Sequence, residues 1–224
     1  MMEGLLEYDL GRGVEAFTSM CGAILPYPAV MGRQVHGDKV AVIDSPGLTR
    51  DDLDGYDAFI TNLPIAIAAR TADCIPVLMY DPICRAVAAV HSGWRGTRMK
   101  IVTKAISAMT ERYGTNPGDL IVEIGPGIGF DSFQVGRELV DAFSEAGFEM
   151  DVISRYDGEP EPGSMKGGYH IDLKAAIEWS LAGCGVKREN VLKCGICTYL
   201  DTRFHSARRE GEGCGRNINA IRLV

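Results

Sequence analysis

Long hydrophobic runs are missing from this chain: no apolar segment approaches the roughly 20 residues that a helix needs to cross a bilayer. The first residues, Met-Met-Glu-Gly-Leu-Leu, also lack the basic start and the apolar core of a secretory signal peptide. The sequence therefore predicts no membrane-spanning helix and no membrane partner, and we expect a cytoplasmic protein.

The chain has fewer basic than acidic residues. The 224 residues include 23 Lys and Arg against 30 Asp and Glu, which gives a net charge of −7 at pH 7. General nucleic-acid binders and proteins that bind anionic membranes need a basic surface. The composition therefore predicts no nucleic-acid partner, and any anion site must be a local group of arginine side chains in an acidic protein.

The cysteine pattern excludes a disulfide-stabilised scaffold. Seven cysteines are an odd number, and they are scattered along the chain, so we expect free thiols in a reducing compartment. An apolar content of 46% and a length of 224 residues are ordinary for a globular protein and predict one domain over residues 1–224. The composition does not indicate an oligomeric state.

Hydrophobic periodicity predicts a mixed α+β domain. Short segments rich in Val, Ile and Ala predict strands at 39–43, 57–60, 65–69, 75–80, 86–90, 120–124, 190–196 and near 203–206. Three- and four-residue spacing predicts helices at 97–113, 137–146 and from an N-cap at Asp172 to about 182. Two prolines and four glycines predict a long loop at 149–168.

Three residues with metal-ligand chemistry lie near the ends of predicted strands: His36, Cys74 and His91. Two imidazoles and a thiolate with a vacant fourth position form the donor set of a catalytic zinc site. In such a site the bound water loses its proton near neutral pH. The same atoms also suit Cys74 as a nucleophile with His91 as its base. Because the three residues are far apart in sequence, a third alternative is that each is an ordinary half-buried side chain.

A candidate anion site follows His91. Arg95 lies where the predicted helix begins, and a helix start offers unpaired N–H groups and partial positive charge. The glycine-rich tail adds Arg208, Arg209 and Arg216. We predict that Arg95 and Arg208 bind phosphate, whereas Arg209 alone is more typical of a solvated loop.

The segment Cys194-Gly-Ile-Cys197, with His205 and Cys214 downstream, offers four ligands for a structural zinc. Packing is the favoured interpretation, because a C-x-x-C within a strand often only fills a core. His170 is predicted to be structural, and Trp94 is either a stacking platform or a core residue.

Several motifs together resemble a known family. They are Gln-Val-His-Gly at 34–37, Thr-Ala-Asp-Cys-Ile-Pro-Val-Leu at 71–78, Ala-Ala-Val-His-Ser-Gly-Trp-Arg-Gly-Thr at 88–97, and later segments at 124–128, 133–136, 197–199 and 206–216. In this order, over nearly the whole chain, they resemble the laccase-domain (multicopper polyphenol oxidase) family, whose members also carry the name purine nucleoside phosphorylase.

The resemblance implies a fold, a site and an activity. The fold is an α/β/β/α sandwich with mixed sheets, similar to that of toxin-deamidase-like cysteine hydrolases. The family's metal-binding and catalytic residues correspond to His36, Cys74 and His91, with zinc, or alternatively copper, as the cofactor. The implied reactions are phosphorolysis of adenosine and inosine, deamination of adenosine and cleavage of methylthioadenosine. For deamination, the local chemistry offers Asp73 or another acidic group as the proton shuttle.

Alternatives to this activity stay open. A Cys–His hydrolase or amidase that edits a cell-wall precursor would use Cys74 as its nucleophile. A non-catalytic or metal-storage protein has little support. His205 stands where the family more often has an aromatic residue, which affects the expected pocket shape. An ordinary multicopper cluster needs about ten histidine ligands, whereas this chain has four, so any oxidase activity would depend on adventitious copper.

Overall fold

The computed structural model describes residues 3–45, 47–49, 51–161, 163–211 and 213–224. Its strands are β1 (Leu5–Tyr8), β2 (Val14–Ser19), β3 (Val40–Val42), β4 (Ala58–Thr61), β5 (Ile67–Thr71), β6 (Ile75–Asp81), β7 (Ala86–Ser92), β8 (Ile121–Ile124), β9 (Gln134–Val135), β10 (Ser154–Tyr156), β11 (Tyr169–Ile171), β12 (Val191–Lys193) and β13 (Asn217–Leu223). Its α-helices are α1 (Trp94–Arg98), α2 (Ile101–Tyr113), α3 (Arg137–Glu145), α4 (Met150–Ile153), α5 (Leu173–Gly183) and α6 (Ala207–Glu210).

Two large sheets organise the molecule. The first has the strand order β12-β8-β6-β7-β4-β3 and is mixed, with parallel pairs at both edges and antiparallel pairs between them. The second has the order β1-β2-β13-β5 and is antiparallel. A small antiparallel sheet, β10-β11-β9, lies apart from both. The mixed α+β class is therefore confirmed.

The six-stranded sheet is buried on both faces. Along β6, Val77 and Met79 belong to the core beneath the helices, whereas Leu78 and Tyr80 pack toward the four-stranded sheet. Ile221 of β13 belongs to that second core. The sequence of a strand that is covered on both faces is a continuous apolar run without polar alternation. This pattern predicted β6 and β7.

The outermost layer on the other side is not helical. Phe17 and Ala220 face outward from the four-stranded sheet and are covered by residues 23–31, including Leu25 and Tyr27. This segment has no regular structure apart from an isolated bridge at its end, and its Pro26 and Pro28 disfavour a helix. The expected α/β/β/α order thus holds for three layers of the described residues, and its fourth layer is wrong. The likeness to toxin-deamidase-like hydrolases stays a prediction.

Several predicted elements need correction. The helix expected at 97–113 is two helices, because Lys100 adopts a left-handed conformation with φ 59° between α1 and α2. The loop expected at 149–168 contains α4 and β10. The strand expected near 203–206 is absent from the structure, which has a turn leading into α6 there.

The α-helices of the described ranges are short, and none combines the length and the apolar character that a bilayer crossing demands.

One buried carboxyl lies between the sheets. Glu123 of β8 is 5% exposed. Burial raises the pKa of its side chain to about 7, although a backbone hydrogen bond from Cys194 and the charge of Lys174 act in the opposite direction. Lys174 is itself buried and donates to the carbonyl oxygens of Cys194 at 2.6 Å and Ile196 at 3.1 Å. Tyr8 also faces this group, and burial raises the pKa of its phenol well above the ordinary value.

Candidate metal centre and active site

The end of one central hairpin brings two candidate ligands together. In the antiparallel pair of β6 and β7, Ile75 is opposite Ser92, so Cys74, just before β6, lies next to His91 near the end of β7. His36 approaches from the loop before β3 in a left-handed conformation with φ 60°. Three separate segments thus meet at one end of the six-stranded sheet.

The candidate ligand atoms of His36, Cys74 and His91 all lie within 4.8 Å of one another. The two imidazole rings meet edge to face, with centroids 4.8 Å apart. His91 is buried, Cys74 is half-buried and His36 is exposed, so the cluster runs from the interior to the solvent. The structure therefore assembles the trio that ligand chemistry selected.

A buried carboxylate behind the cluster orients both histidines. Asp57 is fully buried, and its Oδ1 lies 2.7 Å from Nδ1 of His91 and accepts a hydrogen bond from the backbone N–H of His36 at 2.9 Å. Its Oδ2 accepts from the backbone N–H groups of Val35 at 3.2 Å and Gly37 at 2.8 Å. Because Nδ1 of His91 contacts Asp57, Nε2 is the ring nitrogen that is available to the thiol of Cys74 or to a metal ion. Sequence reasoning missed Asp57.

Asp73 holds the chain next to the thiol. It adopts a left-handed conformation with φ 83°. Its Oδ1 accepts a hydrogen bond from the hydroxyl of Thr198 at 2.7 Å, and its Oδ2 accepts from the backbone N–H of Arg208 at 2.7 Å. Its carbonyl oxygen accepts from the N–H of Ile128 at 2.8 Å. Both carboxylate oxygens therefore fix neighbouring loops around Cys74, which does not favour the proton-shuttle role that we considered for Asp73.

Cys74 and His91 shift each other's protonation. Burial alone raises the pKa of the Cys74 thiol, but the neighbouring His91 and His36 outweigh it and bring the pKa to about 6. Burial lowers the pKa of His91, but Cys74 and Asp57 outweigh that effect and bring it to about 9. Both shifts favour a thiolate at Cys74 and a protonated His91, and a thiolate is the form that serves as a metal ligand or a nucleophile.

A cleft of about 180 Å³ opens beside the trio. Apart from the trio, it is lined by Gln34, Arg70, Ala72, Ala207 and Arg216.

The two arginines that we predicted to bind phosphate lie elsewhere. The exposed Arg95 places its guanidinium over the ring of Trp94, 4.3 Å from the centroid. The guanidinium of Arg208 is directed at carbonyl oxygens of Ser132 and Gln134, each at 3.4 Å. Neither side chain lines the cleft beside Cys74, so their phosphate-binding role stays a prediction without a shared site.

Trp94 is half-buried and packs against the core beneath the helices, as the core interpretation expects.

Two of the four candidate ligands of a structural zinc have other partners. Cys197 accepts a hydrogen bond at Sγ from the N–H of Gly129 at 3.1 Å, and His205 pairs with Glu210 at 3.1 Å. Within the described residues, His36, Cys74 and His91 form the one cluster of three or more such side chains. The structure therefore does not gather the second zinc site. All seven cysteines are free thiols, as expected.

His170 is structural, as predicted. It is buried, and its ring nitrogens lie 3.2 Å and 3.0 Å from the carbonyl oxygens of Phe130 and Gly167.

Comparison with known proteins agrees with these motifs. The family model described as "Multi-copper polyphenol oxidoreductase laccase" matches residues 13–224. This chain belongs to that laccase-like family. Two of the chain's four histidines, His36 and His91, contribute to the cluster.

Relatives in this family carry the names of nucleoside enzymes. A "Purine nucleoside phosphorylase" of Bacteroides thetaiotaomicron is 37% identical over 207 residues, which cover 89% of this chain and 74% of the relative. "Adenosine deaminase RL5", from an unknown prokaryotic organism, is 38% identical over 201 residues, which cover 86% of this chain and 74% of the relative.

Solved structures share the fold. YfiH of Bacillus licheniformis superposes with a TM-score of 0.87 at 22% identity, covering 99% of this chain and 97% of that one. YlmD of Geobacillus stearothermophilus superposes with a TM-score of 0.84 at 23% identity, covering 100% of this chain and 97% of that one.

The trio has the geometry and chemistry that a metal ion needs. Tetrahedral zinc with Zn–N and Zn–S bonds of about 2.0–2.3 Å places its ligand atoms roughly 3.5 Å apart. The candidate ligand atoms of the trio lie within 4.8 Å of one another, which is close to that spacing. A carboxylate behind a metal-binding histidine fixes its tautomer and orientation, and Asp57 occupies that position behind His91. The residues therefore fit a zinc ion with one side open to the cleft.

Proposed function

We propose that this chain is a metal-dependent purine nucleoside phosphorylase acting on adenosine and inosine, with adenosine deamination and methylthioadenosine cleavage as further activities. The observation that carries the proposal is the His36–Cys74–His91 cluster at the mouth of a cleft that also holds two arginines. The names of two relatives, a purine nucleoside phosphorylase and an adenosine deaminase, support the substrate class. Zinc is the proposed metal, with copper as the alternative.

The roles of the residues follow from their positions. His36, Cys74 and His91 would hold the metal, which supplies a Lewis acid and a water of lowered pKa when bound. Asp57 keeps His91 in the tautomer that exposes Nε2. In phosphorolysis a phosphate oxygen attacks C1′ of the ribose, the C1′–N9 bond breaks, and the purine leaves with the electron pair and takes up a proton. The cleft then serves to hold phosphate against the anomeric carbon.

One observation favours a second candidate, a Cys–His hydrolase or amidase. Cys74, His91 and Asp57 form a nucleophile, its imidazole partner and an orienting carboxylate in series, and the thiol pKa of about 6 makes the nucleophile available at neutral pH. This arrangement needs no metal. A cell-wall precursor with an amide bond would be the substrate class.

Chromatography of nucleosides separates these candidates. We expect zinc-loaded protein to convert adenosine to adenine and ribose 1-phosphate only when phosphate is present. Inosine formed without phosphate would show deamination alone. Chelation should abolish both reactions, and zinc should restore them.

Two variants complete the test. Cys74→Ser should lose the activity, and Cys21→Ser, which removes an exposed thiol, should keep it. If no product forms under any condition, and if Cys74 reacts with alkylating agents equally well with and without chelator, the phosphorylase proposal is wrong and the hydrolase takes its place.

A further inference from the structure

The charge of the cleft beside the trio differs from that of the whole protein. Although the chain has a net charge of −7, the cleft is lined by two guanidinium groups, Arg70 and Arg216, and by no carboxylate among the described residues. The nearby carboxylate of Asp57 is fully buried behind His91 and already accepts hydrogen bonds. Among the described residues, the fixed charges that line the cleft are therefore positive, which suits an anion.

Arg70 is fixed by a side chain from the loop that carries His36. It lies on β5, which is an edge strand of the four-stranded sheet. Gln34 donates from Nε2 to the carbonyl oxygen of Arg70 at 2.9 Å and accepts at Oε1 from its N–H at 2.8 Å. These two hydrogen bonds satisfy the backbone N–H and carbonyl groups of Arg70 at the sheet edge, as a neighbouring strand would. They also tie the backbone of Arg70 to a residue only two positions before His36.

Arg216 enters the cleft from the segment that precedes β13. Its Nη1 donates to the carbonyl oxygen of Gly215 at 2.9 Å and contacts Sγ of Cys214 at 3.0 Å. Asn217, the next residue, is buried and exchanges two hydrogen bonds with the backbone of His205, at 2.9 Å and 3.0 Å. The base of Arg216 is thus anchored, and these contacts use one of the three nitrogens of its guanidinium. A guanidinium has five N–H donors, so donors on the other two nitrogens can meet a ligand.

We propose that Arg70 and Arg216 form the binding subsite for a phosphate group in this cleft. This proposal rests on the proposed function, which supplies inorganic phosphate as the second substrate. Guanidinium groups pair with phosphate oxygens in forked, charge-assisted hydrogen bonds, and two of them match a dianion better than a monoanionic carboxylate. The pair takes the role that the sequence suggested for Arg95 and Arg208, whose guanidinium groups lie outside the cleft.

Calorimetric titration of zinc-loaded protein with inorganic phosphate tests the subsite without relying on turnover. We expect Arg216→Met and Arg70→Lys to weaken phosphate binding by about 10- to 100-fold, because each removes charge-assisted hydrogen bonds. Arg216→Lys keeps the charge but loses the fork and should weaken binding less than Arg216→Met. The control is Arg33→Met, which removes an exposed arginine paired with Asp54 and should bind phosphate like the wild type.

Folding and metal content are checked first. Because Arg70 is half-buried, circular dichroism and zinc content must match the wild type before Arg70→Lys is interpreted, whereas the exposed Arg216 makes Arg216→Met the decisive variant. The subsite is refuted if Arg216→Met binds phosphate as tightly as the wild type. It is also refuted if Arg208→Met loses phosphate binding while Arg216→Met keeps it.

Two further outcomes separate this subsite from the proposed activity. If the wild type binds inorganic phosphate through the two arginines but releases no adenine from adenosine, the subsite stands and phosphorolysis fails. If the protein binds adenosine monophosphate but not inorganic phosphate, and the Arg216→Met protein loses that binding, the subsite again stands. Its phosphate group then belongs to a nucleotide substrate, and the phosphorylase activity is wrong.

Discussion

Replacing Asp57 with Asn tests how a single carboxylate supports the whole site. Four N–H donors converge on its two oxygens, two on each. The amide nitrogen of Asn must face two of these donors whichever way the side chain is turned. One or two N–H groups then lose their acceptor, depending on whether His91 changes its tautomer, at about 1–3 kcal/mol each. We expect Asp57→Asn to lower the free energy of unfolding by about 1–6 kcal/mol.

The same substitution should weaken metal binding. An amide that donates to Nδ1 of His91 would place the ring proton on Nε2, which is the nitrogen that faces the thiol. Loss of a carboxylate behind a metal-binding histidine typically weakens metal affinity by about 10- to 100-fold. We therefore expect the zinc affinity of Asp57→Asn to fall within that range.

Urea unfolding and competition with a zinc-binding dye measure these two effects. The matched control is Asp54→Asn, three residues earlier, where an exposed carboxylate pairs with Arg33 at 3.1 Å. Removing such a surface pair changes stability by about 1 kcal/mol or less. If Asp57→Asn stays within about 1 kcal/mol of the wild type and keeps its zinc affinity, Asp57 does not organise the site.

Three other substitutions address different parts of the structure. Gly93→Ala places a Cβ 3.0 Å from Sγ of Cys74. We therefore expect zinc affinity, measured by dye competition, to fall by about 10-fold, while the free energy of unfolding changes by less than about 1 kcal/mol. An unchanged zinc affinity would show that the added methyl group does not crowd the thiol. The Glu123 pKa is about 7 when folded, against an ordinary 4.5, so the wild type should lose up to about 3 kcal/mol of stability between pH 4.5 and pH 8 that Glu123→Gln does not lose. If urea unfolding gives the wild type and Glu123→Gln the same pH dependence of stability, that burial effect is refuted. Asn219→Leu removes the acceptor that Thr18 uses at 2.7 Å and the donor to Thr71 at 3.0 Å. We expect this change to lower the stability measured by thermal unfolding by about 2–5 kcal/mol. A loss of stability no greater than that of the exposed substitution Asp54→Asn would rule this out.

The cluster of ligands was accessible from the sequence because its chemistry lies in the side chains themselves. His36, Cys74 and His91 are rare residue types, each close to a recognisable strand. Asp57 was not accessible, because three of the four groups that it binds are backbone N–H groups and the left-handed turn that presents them follows from no residue preference. Arg70 and Arg216 line the same cleft only because the edge strand β5 lies near the segment before β13, and no local sequence pattern indicates that proximity.

The predicted elements failed where polar residues are buried or where a non-glycine residue adopts a left-handed conformation. The strand β13 escaped prediction because Asn217 and Asn219 occupy buried positions in it, which breaks the apolar alternation. The break between α1 and α2 falls at Lys100, a good helix former that here adopts positive φ. In contrast, α2 was predicted from its spacing alone, because its apolar residues face a core directly.

The site lies where the chain passes from one sheet to the other. Cys74 is in the three-residue connection between β5 and β6, and His91 is on β7 of the six-stranded sheet. Of the two cleft arginines, Arg70 lies on β5 of the four-stranded sheet and Arg216 directly precedes β13 of the same sheet. The position of the two arginines relative to the trio is therefore set by the contact between the sheets, through side chains such as Ile67 and Leu78. A misplacement of about 1 Å can slow a reaction by roughly 100-fold. Under the proposed function, we therefore expect that a methyl group removed from the hydrophobic core, far from the cleft, changes the catalytic rate without altering any residue that touches substrate.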